Sequence, residues 1–541
     1  MNRNIYKAIL LTILATASSS RVSATDGIPA TAGAPCQFAE GTRYSQLVID
    51  SRINDFKANT VQAGFGVYDG KGKLIEQPKM WAFALDYVPG LVAKAVIEAA
   101  DYYKDRSDIN VAPWFYAVQN YGCTYDIADN GKNGKSFDDL NAVKLYFKLA
   151  QLADSQRFPD GSRYSNATTV GIAKKRFAAA LKGIAKANET YAIKASTLEG
   201  AAGGWFHKAS YTNQMWCDGQ YMGPALLAQM INEDADYTPV TSDDWALITR
   251  QFTISWQYLW NPDTKLLYHA FTADPGGEAA QKWAGISATK GSEIYHSAEY
   301  WGRAIGWYFL ALVDVLEQME IAELSDSEHY KALHTCLEQL AEGIAEKQDA
   351  ASGCWYQLTN RDGSFVAQSY DQSYAYTSQP VANYLESSCT AIFTAAYLKA
   401  VRLGMLPESY LATARKAYRG FVEQFMVGDG RGGVHLIACC KSAGLGGSNF
   451  RDGSAEYYLM GKDTKPTSTK GDDFYTEGKV LGGFILAAIE YERLCDSEAT
   501  SLTQPVTASS DSDYSYVSLA GIAHSSAGKG IYVRRGEKII R

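Results

Sequence analysis

The sequence predicts an all-α fold, because apolar residues recur at helical spacing along most of the chain and few segments alternate as strands do. One such face carries Trp245, Phe252 and Leu259, and Ser242-Asp-Asp before it is a candidate N-terminal cap. Glycine-rich polar loops separate the helical patterns. About ten helices with short connections predict one helical domain from about 45 to 495.

The helical patterns occupy ten stretches along the chain. They lie at about 90–104, 138–154, 170–187, 222–232, 245–259, 300–318, 327–347, 384–403, 411–425 and 477–494. The number of helices leaves open a toroid of helical hairpins, a solenoid or an irregular bundle. The Ser/Thr/Asp-rich segment from Ser497 to Ser515 is predicted to be a solvated linker. The last residues, 528–541, alternate like a strand pair around Arg535-Gly536.

The N-terminus has the pattern of a secretory signal peptide. Basic residues between Met1 and Lys7 precede an apolar stretch, Ala8 to Ala17, that is too short to span a bilayer. Val22-Ser-Ala24 then offers a small-residue cleavage site. We therefore expect a signal peptide over 1–24, one main helical domain over 25–495, and a linker and short tail over 496–541. Such a chain would be exported to the periplasm or the extracellular space. The tail resembles the sorting signals of exported Bacteroidetes proteins.

Composition narrows the classes of partner. A net charge of −8 argues against binding to nucleic acid, and 36 tyrosines and 11 tryptophans suit both stacking on sugars and ordinary cores. The nine cysteines include no CxxC pair, which argues against a zinc site built on thiolates, and their disulfide pairing cannot be read from spacing. No phosphate-binding glycine loop is present. The sequence thus implies no metal, nucleotide or organic cofactor.

The segment from Gly203 to Met230 concentrates the chemistry. It combines His207, Lys208 and Asp218 with several aromatic rings, and Asp218 lies between Trp216 and the start of an apolar helix. A carboxyl group held partly out of water can keep a proton near neutral pH, as an acid catalyst acting on a sugar requires. The alternative interpretation is a helix cap beside core aromatics.

Seven segments together resemble one enzyme family. They are Ser136-Phe-Asp-Asp-Leu-Asn141, Gly204-Trp-Phe-His-Lys208, Gln214-Met-Trp-Cys-Asp-Gly-Gln-Tyr-Met222, Leu267-Tyr-His-Ala270, Trp301-Gly-Arg-Ala-Ile-Gly-Trp307, Tyr384-Leu-Glu-Ser-Ser388 and Arg451-Asp-Gly-Ser-Ala-Glu-Tyr-Tyr-Leu459. In this order they resemble the unsaturated rhamnogalacturonyl hydrolases, glycoside hydrolase family 105, which are related to the unsaturated glucuronyl hydrolases of family 88. The resemblance implies an (α/α)6 barrel, a toroid of helical hairpins.

The resemblance also implies a reaction. The family removes the 4,5-unsaturated uronic acid that a polysaccharide lyase leaves at the non-reducing end of pectin or rhamnogalacturonan oligosaccharides. Protonation of C4 places positive charge on C5 and the ring oxygen, water adds at C5, and the hemiketal collapses and releases the next sugar. One acid that then acts as a base towards water suffices, whereas an ordinary glycosidase needs two flanking carboxylates.

Residue by residue, Asp218 matches the family's proton donor and water activator. Asp138 matches the second aspartate of the pocket, with Asp139 as the alternative if the alignment is displaced by one residue. The other substrate-binding matches are Tyr87, His207, Lys208, Trp216, His269, Arg303 and Trp307. Among these, Trp216 or Trp307 is expected to stack on sugar, and Arg303, Lys208 or the histidines are expected near the uronate carboxylate. Asp138-Asp139 also fits a solvated acidic pair in the first turn of a helix, and Tyr87 also fits core packing.

Two departures from the family pattern affect the expected specificity. Ala304-Ile305 stands where the family has Gly-Asn, and Gln220 stands where Leu is common. The chain between Asp138 and His207 also looks longer, with an added loop around Phe158 to Asn166. The sequence also allows three other interpretations of the function. The chain could be an unsaturated glucuronyl hydrolase acting on glycosaminoglycan or algal lyase products, a conventional glycosidase with Asp138-Asp139 as its catalytic pair, or a sugar-binding protein without activity.

Overall fold

The computed structural model describes residues 27–54, 56–58, 61–63, 65–76, 85–155, 167–277, 282–284, 295–447 and 450–503, together with four short strands near the C-terminus. The predicted signal peptide, the predicted loop around Phe158 to Asn166 and residues 504–515 of the predicted linker lie outside the described residues.

Helices make up most of the described chain. In chain order they are α1 (Tyr44–Arg52), α2 (Tyr87–Tyr103), α3 (Ala112–Thr124), α4 (Asp129–Lys132), α5 (Asp138–Asn141), α6 (Leu145–Ser155), α7 (Ala167–Thr190), α8 (Cys217–Met222), α9 (Pro224–Glu233), α10 (Asp244–Leu259), α11 (Gly302–Ile321), α12 (Glu328–Glu346), α13 (Ser387–Arg402), α14 (Tyr410–Phe425), α15 (Ala455–Met460) and α16 (Gly478–Thr503). All ten predicted helical segments are present.

The longer helices form two concentric rings. The inner ring runs α2, α5–α6, α8–α9, α11, α13 and α16, each packed on the next, and α16 packs back on α2 and closes it. The outer ring consists of α1, α3, α7, α10, α12 and α14, each packed on inner helices. The fold is therefore an (α/α)6 barrel, as the sequence predicted.

The alternation of outer and inner helices makes the six inner helices parallel. Their N-termini meet at one end of the barrel, where the partial positive charge of each helix favours acidic groups. Asp86 accepts a hydrogen bond from the amide of Val88 at the start of α2, and Glu386 accepts one from the amide of Cys389 at the start of α13. Asp243 caps the outer helix α10 through the amide of Ala246, so the cap predicted around Ser242 is confirmed.

Two outer helices, α1 and α3, were missed by the periodicity. The α1 helix has only 9 residues, and α3 carries Pro113 in its first turn and Gly122 near its end, both poor helix formers. These helices are stabilised by packing on the inner ring and not by a strong local signal.

Short antiparallel strand pairs shape the loops. They are β1 (Phe56–Ala58) with β2 (Val61–Ala63), β3 (Val67–Tyr68) with β4 (Leu74–Glu76), β5 (Gln214–Trp216) with β8 (Ala270–Thr272), β6 (Trp260–Asn261) with β7 (Leu266–Leu267), β9 (Val366–Ala367) with β10 (Val381–Ala382), and β11 (Met426–Gly428) with β12 (Val434–Leu436). All of these pairs are two-stranded, so the helices supply the core.

In the C-terminal region, the predicted strand pair is confirmed and the predicted start of the linker is wrong. β13 (Tyr516–Ser518), β14 (Ala523–His524), β15 (Ile531–Arg534) and β16 (Glu537–Ile540) form one sheet, and β15 pairs with β16 around Arg535-Gly536 as predicted. The prediction of a linker from Ser497 was wrong for its first residues, because α16 continues to Thr503. Ser497 itself bonds back to the carbonyl of Leu494, which fits a helix.

All nine cysteines are free, and most of them are buried. No helix in the described ranges is long and apolar enough to cross a membrane.

Candidate active site

The matched residues come together at the end of the barrel where the inner helices begin. Asp138 lies in the first turn of α5, Asp218 in the first turn of α8, and Arg303 in the first turn of α11. Because these helices are neighbours in one closed ring, their first turns face a common axis. Residues far apart in sequence thus share one site.

The pairing of β5 with β8 places Asp218 beside His269. Trp216 is opposite Ala270 in this ladder, and the amide of Cys217 donates to the carbonyl of His269 at 3.0 Å. The next residue, Asp218, therefore begins its helix next to the His269 side chain. Its Oδ2 lies 3.4 Å from Nε2 of His269.

A second backbone pairing joins Asp138 to His207 and Lys208. Ser136 forms a β-bridge with Lys208, and the amide of Ala209 donates to the carbonyl of Lys135 at 2.8 Å. As a result Nε2 of His207 lies 2.7 Å from one oxygen of Asp138, and Nζ of Lys208 lies 2.6 Å from the other. Both oxygens of Asp138 are thereby engaged.

These contacts fix the charge of Asp138. Burial opposes ionisation, but the Lys208 ammonium and His207 together hold the pKa of Asp138 well below its usual range. Burial also opposes the charge on Lys208, yet Asp138 raises the Lys208 pKa above its usual value. The pair is thus a carboxylate and an ammonium at neutral pH, and Lys208 keeps about 30% of its side chain exposed for a ligand.

Asp139, on the same turn, behaves differently. Burial and the neighbouring charges of Asp138 and Asp86 raise the pKa of Asp139 to about 6. Asp86 likewise has a raised pKa, from burial and from the charge of Asp138. Three carboxyl groups therefore crowd the starts of α2 and α5, and among the described residues Asp138 is the one of the three that forms an ion pair with Lys208.

Aromatic rings form one wall of the site. Trp216 is buried and stacks on Tyr211 with ring centroids 4.5 Å apart and an interplanar angle of 5°. The edges of His207 and His269 pack against Trp216 at 5.6 and 5.0 Å. Tyr211 is only half buried, so this stacked pair presents a flat surface near Asp218.

Among the matched site residues, three atoms are buried without a hydrogen bond of normal geometry. They are Oδ2 of Asp218 and Nε2 of His269, which face each other, and Nδ1 of His207. His269 is fully buried, its Nδ1 lies 2.7 Å from the hydroxyl of Tyr458, and burial lowers its pKa. The Asp218 side chain is about 14% exposed, and since Oδ2 is buried, that exposure belongs to the rest of the group.

Arg303 and Trp307 lie deeper than a direct sugar contact requires. Arg303 is 2% exposed, and its Nη1 donates to the carbonyl of Cys440 at 2.6 Å and to Ser388 at 3.1 Å. Trp307 is 1% exposed and stacks on Tyr221 at 4.8 Å. Their substrate contacts remain predictions, and the geometry assigns both to packing beneath the site.

The remaining matches lie around the same axis. Tyr87, the first residue of α2, is half buried and lies within electrostatic range of both Lys208 and Arg303.

The sequence analysis did not identify Tyr211 or Tyr458 as site residues. Tyr458 belongs to the matched segment Arg451–Leu459, and that match was the available signal for it. Within the part of the chain that the structure describes, no group of His, Cys, Asp and Glu side chains has the arrangement of a metal site.

A helical toroid with a partly exposed aspartate, a lysine–carboxylate ion pair and a half-buried aromatic pair at one end fits a carbohydrate-active enzyme. The profile of Glycosyl Hydrolase Family 88 matches residues 179–495, more than half of the chain. The chain belongs to this family, in the group that includes glycoside hydrolase family 105, and is a glycoside hydrolase.

The chain is also similar to individual proteins and solved structures. Protein Atu3128 of Agrobacterium fabrum is 32% identical over 204 residues, which cover 35% of this chain and 76% of that protein. A family 105 glycoside hydrolase of C. acetobutylicum is 27% identical with a TM-score of 0.53, covering 76% of this chain and 94% of its own. A possible family 105 member from Klebsiella pneumoniae, 18% identical with a TM-score of 0.51, covers 85% of this chain and 94% of its own and shows the shared fold.

Proposed function

We propose that this enzyme removes the 4,5-unsaturated galacturonyl residue from the non-reducing end of pectin or rhamnogalacturonan oligosaccharides produced by a lyase. The observation that carries the proposal is the asymmetry of the two matched aspartates. Asp138 is held as a carboxylate by the Lys208 ammonium and a contact with His207, whereas Asp218 has one buried oxygen facing His269 and a partly exposed remainder. This arrangement supplies one acid and not two.

In the proposed reaction Asp218 gives its proton to C4 of the enol ether. The C4=C5 electron pair forms the new C–H bond, and the cation at C5 is stabilised by the ring oxygen. The Asp218 carboxylate then accepts a proton from the water that adds at C5. The resulting hemiketal opens, the ring oxygen becomes the aldehyde oxygen at C1, and the next sugar leaves with its own oxygen.

Charged and aromatic groups support a uronic acid as the substrate. Lys208 lies beside the site, is partly exposed and keeps its positive charge, so it can pair with the uronate carboxylate. The half-buried face of Tyr211 on Trp216 offers a platform for a sugar ring. An ordinary two-carboxylate mechanism fits less well, since both oxygens of Asp138 are already engaged.

The choice of pectin rests on the likeness to family 105. A lyase erases the difference at C4 between galacturonate and glucuronate, so the unsaturated ring itself cannot distinguish them. Specificity must come from the next sugar, and an unsaturated glucuronyl hydrolase is the second candidate, supported by the Family 88 match. We also propose that the chain is exported before it meets its substrate.

The test is to offer the purified enzyme four substrates and follow the absorbance of the enol chromophore and the released sugars. They are lyase-cut rhamnogalacturonan, lyase-cut homogalacturonan, lyase-cut glycosaminoglycan, and rhamnogalacturonan left saturated. We expect consumption of the lyase-cut pectic substrates only. Preference for the glycosaminoglycan product would move the assignment to the second candidate, and cleavage of the saturated polymer would overturn the mechanism.

A further inference from the structure

The hydroxyl group of Tyr458 lies directly behind His269. Tyr458 belongs to the short helix α15, whose first turn is capped by Ser454 through the amide of Tyr457. Its ring is fully buried, and its hydroxyl oxygen lies 2.7 Å from Nδ1 of His269. A hydroxyl group so placed acts on the site through the imidazole, without contacting the substrate.

The ring of Tyr458 is held from two sides. Trp301 packs over it with centroids 6.2 Å apart and an interplanar angle of 29°. Gln357 donates to the carbonyl of Tyr458 and accepts from the indole N–H of Trp301, each at 3.1 Å. Since all three side chains are buried, the hydroxyl group has little freedom to turn away from His269.

The protonation states leave one consistent hydrogen-bond arrangement. Burial raises the pKa of the Tyr458 phenol well above its usual value, so the hydroxyl keeps its hydrogen. Burial lowers the pKa of His269, so the imidazole is neutral and carries one N–H. In the part of the chain that the structure describes, His269 is the hydrogen-bond partner found for the Tyr458 hydroxyl. Donation from Tyr458 to Nδ1 puts the imidazole hydrogen on Nε2.

That hydrogen completes the geometry at Asp218. Oδ2 of Asp218 and Nε2 of His269 are both buried, and they face each other at 3.4 Å. With a hydrogen on Nε2, Oδ2 becomes an acceptor and its burial is compensated. In the opposite tautomer, a bare Nε2 would draw the acid proton of Asp218 onto Oδ2, away from any substrate.

We infer that Tyr458 is a positioning residue, which holds His269 as the Nε2–H tautomer and so keeps the catalytic proton on the outward oxygen of Asp218. The kinetic part of this inference rests on the proposed function. The tautomer part concerns the free enzyme and stands or falls without any substrate.

The tautomer can be measured by nitrogen NMR of the enzyme labelled with ¹⁵N-histidine. The chain has seven histidines, and comparison with His269→Gln identifies the His269 signals. We expect a protonated Nε2 and a bare Nδ1 in the wild type, and a shift towards protonated Nδ1 in Tyr458→Phe. A protonated Nδ1 in the wild type would overturn the inference, even if the enzyme proves inactive on every lyase product tested.

Kinetics on the preferred lyase product supply the second readout. In Tyr458→Phe we expect kcat to fall about 10–100-fold with KM nearly unchanged. Loss of the hydrogen-bonding group that orients a histidine typically has an effect of this size. The matched control is Tyr146→Phe, which removes another buried tyrosine hydroxyl, one that donates to the carbonyl of Gly122 on the outer helix α3. We expect the control to keep the wild-type kcat. An equal fall in both variants, or no fall in Tyr458→Phe, would contradict the positioning role.

Discussion

The six inner helices carry paired charges at one end of the barrel and the candidate catalytic groups at the other. At the C-terminal end of the inner ring, a cavity of about 430 Å³ is lined by charged residues from all six. Lys399 pairs there with Asp314 and Glu317, and Arg402 pairs with Glu490, all at 2.6 Å. At the N-terminal end, Asp218 lies 3.4 Å from the imidazole of His269, and among the described residues no Lys or Arg forms an ion pair with it.

This difference separates a structural cavity from a functional one. A carboxyl group without a cationic partner is costly to bury and is retained where chemistry needs it. Most charges around the cavity at the C-terminal end pair with one another, although Nε of Arg493 there is also buried without a hydrogen bond. We therefore propose that the active site lies at the N-terminal end, where the helix dipoles also favour carboxylates.

The largest expected effect follows from Asp218→Asn. The change is nearly isosteric and removes the only proton donor in the proposed reaction, so kcat should fall by about 10²–10⁴-fold. Absorbance decay of the lyase product measures it. Asp263→Asn, on an exposed loop, is the control and should be as active as the wild type. An active Asp218→Asn enzyme would remove Asp218 from the mechanism.

A matched pair of variants tests directly whether the two ends of the barrel have different roles. Asp138→Asn leaves Lys208 and His207 without their carboxylate and should lower kcat/KM by about 100-fold, or roughly 2.7 kcal/mol. Asp314→Asn removes one of the two carboxylates paired with Lys399 at the other end, and since Glu317 remains, it should lower the free energy of unfolding by about 1–3 kcal/mol. Its kcat should not change. Loss of kcat in Asp314→Asn in a folded protein would contradict the division of roles.

The pH dependence of the free energy of unfolding tests the raised pKa of Asp139, which lies at the N-terminal end of the inner ring. Its pKa in the folded chain is about 6, above the unfolded value, so its favourable contribution is present below about pH 4 and is lost as the pH rises through 6. Asp139→Asn should therefore raise the free energy of unfolding at pH 7.5 by roughly 1–3 kcal/mol and change it little at pH 4. Urea denaturation at both pH values measures this. Equal effects at the two pH values would argue against a protonated Asp139.

The smallest expected effect concerns the aromatic wall. Tyr211→Ala removes the ring stacked on Trp216 and should raise KM by about 5–10-fold with little change in kcat, since stacking contributes on the order of 1 kcal/mol. Tyr330→Ala removes a ring stacked on His334 in the outer helix α12 and serves as the control. If both variants leave KM at the wild-type value, Tyr211 does not contact the sugar.

Helical periodicity predicted ten of the helices because each buries one apolar face, whereas their arrangement as a barrel was implied by the family resemblance. It missed α1 and α3, whose local signals are weak, and it ended the last helix early because Ser497 to Thr503 has the composition of a linker. Packing in the closed ring decides these segments, and packing partners are not visible in one sequence.

The site was predictable to the extent that short local pairings build it. The segments that carry Asp138, His207, Lys208, Asp218 and His269 were identified, and β5–β8 and the Ser136–Lys208 bridge bring them together. Sequence alone could not show that Trp307 is covered by Tyr221, or that Arg303 bonds inward to Cys440. Depth within the barrel depends on the neighbouring helices, and the sequence pattern does not record it.

The most direct test of the account is a crystal structure of the Asp218→Asn variant with an unsaturated disaccharide bound. We predict density for the sugar at the N-terminal end of the inner helices, with C4 of the unsaturated ring about 3–3.5 Å from the outward side-chain atom of residue 218. Density for the sugar in the charged cavity at the opposite end, or C4 far from residue 218, would contradict the central claim.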